Sequence, residues 1–279
     1  MARPRAAVAG IDLAMTPLLI EDPADPRVAA YRDIRERDLV GRQGRFVGEG
    51  KVVLDVLFSS GRFEAESALI LDARMEGMAA TLAKAPAGMP VHVASRAVMD
   101  AVAGFPMHRG VLAIGRRRMA ESMEGLLSRL PGRALVLALV GIANHDNMGA
   151  IFRNAAAFGA DAVLLDETCC DPLYRKAIRV SVGAALKVPF VSASSGERIA
   201  EVLAAARFDQ IALSPQGKVD IRDIERGERM ALYLGTEGEG LPASLMHGLA
   251  TVRIPIADGF DSLNVATAAA VALHEMRNR

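Results

Sequence analysis

Residues 134–140 read Ala-Leu-Val-Leu-Ala-Leu-Val, an apolar run without a single polar side chain. A strand with one face in water alternates apolar and polar residues, whereas an unbroken run fits a strand covered on both faces, as in a parallel sheet. Further apolar runs follow at 162–165, 188–191, 211–213, 230–234 and 252–254, and helical segments separate most of them. This alternation predicts an α/β fold, a parallel sheet with helices on both faces. Ligands of such sheets bind beyond the carboxyl ends of the strands. The loops after Val140, Leu234 and Ile254 are therefore expected to carry the chemistry.

With 279 residues the chain has room for two domains. The segment 116–132 is charged, ends in Pro131-Gly132, and reads as a partly helical linker between residues 1–115 and 133–279. The N-terminal part predicts a helix over Pro26–Asp38, a short apolar stretch at Arg45–Val47, and a helix over Lys51–Phe58 with Val52, Val53, Val56 and Leu57 on one stripe. Strand-like runs at 68–71, 91–94 and 111–114 complete a small α/β/α domain in which no catalytic constellation is visible.

Lys plus Arg equals Asp plus Glu at 33 each, so net charge does not point to a polyanionic partner. Local patches say more. Arg109, Arg116, Arg117 and Arg118 lie between Phe105 and Met119 with no acid, and Arg175, Lys176, Arg179 and Lys187 face one Asp across 171–189. Such patches either meet phosphates or form solvated faces. Cys169 and Cys170 are adjacent, a spacing that suits neither a zinc site nor a structural bridge, and they read as reduced thiols of a cytoplasmic protein. The five histidines show no ligand spacing, so no metal is expected. No apolar run reaches 18 residues, and Asp12 and Pro17 interrupt the mildly apolar stretch behind Arg3 and Arg5, so no membrane association is expected.

The first of the three loops is 144–153, NHDNMGAIFR. Asn147 is suited to cap a helix, Gly149 to let backbone approach a ligand, and Arg153 to lie on the same flank as Asn147. A capped helix with a surface arginine explains the same residues. The second, 234–242 (LGTEGEGLP), has glycines at 235, 238 and 240, which expose backbone groups able to hold a nucleoside or an amino-acid tail. This spacing does not fit G-x-G-x-x-G, which disfavours a nucleotide-dependent oxidoreductase. In the third, 254–266 (IPIADGFDSLNVA), Ser262 or Asp261 is placed to cap the helix Val265–Met276.

Taken in order, Asn147-x-Gly149-x-x-x-Arg153, Leu234-Gly-x-Glu237-Gly-x-Gly-Leu241 and Ile254-Pro-x-x-x-Gly259-x-x-Ser262-Leu-Asn264-Val265 resemble the three signature motifs of the SpoU (TrmH-like) RNA 2′-O-ribose methyltransferases of the SPOUT superfamily. Arg179-Val-Ser181-Val-Gly183-Ala184 is similar to the family's intermediate segment. The resemblance covers residue 133 or so to the end. It departs at Ala266, where the family often has Ser, and at Ile256, where Met is common.

The resemblance implies a parallel-sheet SPOUT domain with a C-terminal trefoil knot, and a homodimer with its active site near the subunit interface. It implies S-adenosyl-L-methionine as cofactor, held by backbone around Gly235, Ile254 and Leu263. Structured RNA is the implied partner, rRNA before tRNA. The N-terminal half resembles, more loosely, the ribosomal-protein-like RNA-binding domain attached to many members, most of all at Arg45-Phe-Val-Gly-Glu-Gly50. The implied catalytic residues are Arg153, Asn147, Glu237, Ser262 and Asn264. An arginine stays protonated in proteins, so Arg153 suits alkoxide stabilisation and phosphate binding better than proton abstraction. Glu237 is either a base or a structural acceptor, and Ser262 and Asn264 orient Arg153 and the ribose. An RNA-binding or ribosome-assembly protein that has lost methyl transfer is the alternative, and the intact set of site residues argues against it.

Overall fold

The computed structural model describes residues 16–32, 43–104, 106–118, 121–236 and 238–277. The chain divides into two compact units, Met1–Arg117 and Arg118–Arg279. Among the described residues no helix is long and apolar enough to cross a membrane.

The first unit is a mixed sheet of β1 (Leu18–Ile20), β2 (Arg45–Glu49), β3 (Phe63–Leu71), β4 (Val91–Ala94) and β5 (Val111–Arg117), in the order β1-β4-β3-β5-β2. β5 runs antiparallel to both neighbours, and the other pairs are parallel. Helices α1 (Lys51–Ser59), α2 (Met75–Leu82) and α3 (Arg96–Ala103) accompany it. Several local readings change. Pro26–Tyr31 is a 3-10 helix capped by the Asp25 side chain, which accepts from Arg27 N, and the rest of the expected helix to Asp38 lies outside the described residues. In α1 the buried residues are Val53, Leu54 and Leu57, while Val52 is exposed. Turning by 3.6 residues, the helix aligns 53 and 57 with 54 and carries 52 outward. Arg116 and Arg117 continue strand β5. Arg116 pairs there with Glu66, and Arg109 lies 3.9 Å from Glu49.

The second unit is a seven-stranded sheet in which every pairing is parallel. Its strands are β6 (Ala134–Leu139), β7 (Ala162–Leu165), β8 (Phe190–Ser192), β9 (Asp209–Leu213), β10 (Val219–Asp220), β11 (Arg229–Leu234) and β12 (Ala250–Arg253). The order is β10-β12-β9-β11-β6-β7-β8. All six residues of β6 are buried, as the apolar run requires. The helices are α4 (Met123–Ser128), α5 (His145–Phe158), α6 (Arg175–Val180), α7 (Ala184–Lys187), α8 (Gly196–Ala205), α9 (Ala243–Met246) and α10 (Val265–Arg277). α4 arises from the expected linker, yet Met123, Leu126 and Leu127 join the core with Val136, Ala138 and Tyr233.

Two packing contacts place the site. α10 lies along α5, presenting the small buried residues Ala266, Ala269 and Ala272. α5 meets α6 at Gly149, where a Cβ would stand 2.7 Å from the Ala177 carbonyl oxygen and from Val180 Cβ. The close approach that Gly149 allows is thus to a neighbouring helix. It is a packing requirement and not a ligand contact.

Candidate active site

Because β11 sits between β6 and β9, with β12 beyond β9, the loops after β9, β11 and β12 emerge side by side at the carboxyl edge of the sheet. They enclose a cavity of about 270 Å³. Gly235, Ile254 and Leu263 line it, as do Ser262 and Asn264. Five of the eight site residues named from the sequence therefore share one cavity.

The glycine-rich loop folds back on itself. Thr236 N donates to the Gly240 carbonyl at 3.2 Å, and the two residues form an isolated antiparallel bridge. A Cβ on Gly235 would lie 2.4 Å from the carbonyl carbon of Gly240, so only glycine fits there. Gly238 and Gly240 take φ of +103° and +75°, conformations that side-chain-bearing residues rarely adopt. The result is a wall of backbone groups. Ile254, Ile256 and Leu263 line the same cavity and are only partly covered, Leu263 being 38% exposed. Polar backbone and uncovered apolar side chains around one concavity suit a ligand with both an apolar body and polar ends.

Asn264 ties this cavity to α5. Its Oδ1 accepts from Ala266 N at 3.0 Å and Thr267 N at 3.3 Å, and its Nδ2 donates to Asn147 Oδ1 at 3.0 Å. The cap of α10 is thus Asn264, and neither Ser262 nor Asp261 takes that place. A similar exchange occurs in α5, where Asn144 is the cap, accepting from Asp146 N at 2.7 Å and Asn147 N at 3.3 Å. Asn147 lies inside the first turn, 8% exposed, and its side chain serves the contact with Asn264. A further hydrogen bond joins the two helices, Asn154 Nδ2 donating to the Ala266 carbonyl at 2.8 Å.

Arg153 stands apart. It is exposed on α5 and does not line the cavity. Six residues amount to about one and two-thirds helical turns, so Arg153 lies roughly a third of a turn away from Asn147 and not on the same flank. Glu237 lies outside the described residues, although its neighbours Thr236 and Gly238 line the cavity. In the second basic patch Lys176 pairs with Asp146 at 2.6 Å, while Arg179 and Lys187 are exposed.

Sequence reasoning missed Leu213, Ser214 and Pro215, which line the cavity from the end of β9. The rule that ligands bind at strand carboxyl ends applies to β9 as to the others. What was lacking was its adjacency to β11 and β12.

The double role of Asn264 has a measurable consequence. Asn264→Ala removes a helix cap and the donor to Asn147, and is expected to lower stability by about 1–3 kcal/mol. In a unit of this size that corresponds to roughly 2–4 °C in thermal midpoint per kcal/mol, read by calorimetry. Asn264→Asp still caps but cannot donate to Asn147, so it should recover only the capping part.

The chain matches the family model described as the SpoU rRNA Methylase family over residues 134–274. It is 38% identical to an uncharacterized tRNA/rRNA methyltransferase of Mycobacterium tuberculosis (strain CDC 1551 / Oshkosh), over 91% of this chain and 89% of that one. It is 32% identical to a 23S rRNA (guanosine-2'-O-)-methyltransferase of Burkholderia sp, over 73% of this chain and 83% of that one. Among solved structures it is similar to an AdoMet-bound rRNA methyltransferase from Sinorhizobium meliloti, with a TM-score of 0.77, 26% identity, and coverage of 93% of this chain and 97% of the other.

Proposed function

This chain belongs to the SpoU family of RNA methyltransferases, and from that premise we propose that it methylates a ribose 2′-OH in structured RNA, with S-adenosyl-L-methionine as donor and rRNA favoured over tRNA. The observation that carries the reading is the convergence of Gly235, Ile254, Ser262, Leu263 and Asn264 on one cavity at the carboxyl edge of a parallel sheet. The similar Sinorhizobium meliloti enzyme is AdoMet-bound and the similar Burkholderia enzyme methylates a guanosine 2′-O in 23S rRNA, which supports both donor and acceptor. The crossing strand order, with β11 inserted between β6 and β9, supports the trefoil knot expected of the family. The reading also includes a homodimer with its active site near the subunit interface, and an RNA-binding role for the first unit.

The cavity fits the donor chemically. Partly uncovered Ile254, Ile256 and Leu263 suit an adenosine, and the backbone of residues 235–240 offers hydrogen-bonding groups to its polar ends. When bound, the sulfonium supplies an electrophilic methyl group. The chain's own residues must then orient the ribose and stabilise charge developing on its oxygen. Arg153 provides a fixed positive charge and a planar fork for the adjacent phosphate. Asn264 and Asn147 hold α5 to the cavity, Ser262 faces the cavity from the third loop, and Glu237 accepts a proton or anchors the glycine loop.

A transfer assay with tritiated cofactor tests the reading. Incorporation into ribose of bulk rRNA from a strain lacking the gene, and not into tRNA, is the expected result. Binding of rRNA without transfer would mark a protein that has kept the fold and lost the reaction, and incorporation into tRNA alone would reverse the substrate preference.

A further inference from the structure

Beneath the start of α5 lies a side chain that no motif singled out. Asp166 follows β7 directly and is 6% exposed. Its Oδ1 accepts from Gly141 N at 3.0 Å and Cys169 N at 3.1 Å, and its Oδ2 accepts from Thr168 Oγ1 at 2.7 Å. The neighbouring residues extend the same grip. Cys169 Sγ accepts from Ile142 N at 3.3 Å and donates to the Leu139 carbonyl at 3.4 Å, while Cys170 N donates to the Ile142 carbonyl at 2.9 Å. Burial pushes the Cys169 thiol up to about 12, so at neutral pH it keeps the proton it donates.

Three of these bonds, at Gly141 N, Ile142 N and the Ile142 carbonyl, act on one turn, and the others brace the 166–170 segment that makes them. Gly141 and Ile142 lie beyond the end of β6, where no ladder partner takes their N–H groups, and buried amides need acceptors. A carboxylate supplies charge-assisted bonds, stronger than those of a neutral acceptor. On the other side the turn presses against the cavity loop. Gly141 has φ +73°, and a Cβ there would lie 2.3 Å from Thr236 Cγ2. Three residues on, Asn144 caps the helix that carries Asn147 and Arg153. The turn is thus held between the 166–170 segment and the cavity wall, and from it α5 takes its direction.

We infer that Asp166 is a positioning residue for methyl transfer, its carboxylate fixing the Gly141–Ile142 turn and through it the placement of α5 against the cavity. The inference rests on the proposed function for its kinetic consequence, and on geometry alone for its structural one. Misplacing a catalytic helix by about 1 Å costs up to 100-fold in rate without removing a contact to substrate.

The test compares the wild-type 279-residue chain with Asp166→Ala and Asp166→Asn below their unfolding transitions. It uses single-turnover transfer to bulk rRNA and tRNA, calorimetry with S-adenosyl-L-homocysteine, and hydrogen exchange at residues 141–147. Asp166→Ala is expected to slow transfer roughly 10- to 100-fold at saturating cofactor and RNA. Product affinity should stay within about threefold, and exchange at Gly141 and Ile142 should rise at least tenfold. Asp166→Asn keeps an oxygen for both amides and should recover transfer to within about fivefold of wild type. A wild-type rate in Asp166→Ala overturns the inference, as does an Asp166→Asn variant as slow as Asp166→Ala. If the wild type transfers no methyl group to either RNA, the proposed function fails and the exchange comparison decides the positioning by itself. Should Asp166→Ala not fold, Cys169→Ala removes the bonds of its sulfur to Ile142 N and to the Leu139 carbonyl and leaves Asp166 in place, and unchanged exchange and rate there overturn the inference equally.

Discussion

Arg153→Ala is expected to lower the single-turnover rate of methyl transfer by roughly 100- to 1000-fold, the usual cost of losing one preorganised charge-stabilising donor. Cofactor affinity should stay within about twofold, because Arg153 does not line the cavity that the glycine loop and residues 254–264 enclose. The exposed position of Arg153 on α5 leaves its guanidinium available to a large polyanionic substrate. Arg153→Lys should recover little, since a point charge cannot reproduce a planar two-pronged contact to phosphate and oxygen. Glu237→Gln separates the remaining roles: loss of a base abolishes transfer, whereas a structural acceptor is partly replaced by the amide oxygen. Single-turnover kinetics beside calorimetric binding for the three variants read the outcome. A wild-type rate for Arg153→Ala would remove the residue from the mechanism and leave it a helix-surface cation.

Much of the second unit was legible in the chain, for a physical reason. A strand buried on both faces must be apolar at every position, so the run at 134–140 announces β6 without reference to anything else, and the runs at 162–165 and 230–234 do the same for β7 and β11. Which strand lies beside which is a different kind of information. Leu213, Ser214 and Pro215 reach the cavity only because β9 neighbours β11 and β12, and no local pattern records that. The two helix caps show the same limit at smaller scale. Asn144 and Asn147 are both good capping residues placed before an apolar stripe, and propensity cannot choose between them. Tertiary structure can, since Asn147 is needed to meet Asn264 from across the unit. A glycine in a motif loop such as Gly149 gives room for a close approach, and the sequence does not say by what. The space is filled by Ala177 and Val180 of α6. For Asn147 and Gly149 the residue stands in the local pattern, and its partner, Asn264 in one case and α6 in the other, is what the chain alone withholds.

Gly235→Ala is expected to weaken binding of S-adenosyl-L-homocysteine at least tenfold and to slow methyl transfer with it. The added methyl would begin 2.4 Å from the carbonyl carbon of Gly240, 2.5 Å from Leu241 N and 2.6 Å from the Gly240 oxygen. All three are backbone atoms, so no side-chain rotation relieves the contact. The loop must open, and opening breaks the Thr236–Gly240 bridge that shapes the polar wall of the cavity. A loss of about 1.4 kcal/mol in binding corresponds to the tenfold threshold, and giving up the shape of a wall that presents several backbone groups readily exceeds it. Gly238→Ala makes the contrast. Nothing lies within 4 Å of its Cβ position, so its penalty comes only from φ +103° and should appear as lost stability with a smaller effect on affinity. The same calorimetric titration applied to both variants decides. Equal affinities would show that the folded-back shape of the loop is not what holds the cofactor, and would shift that role to Ile254 and Leu263, which line the same cavity.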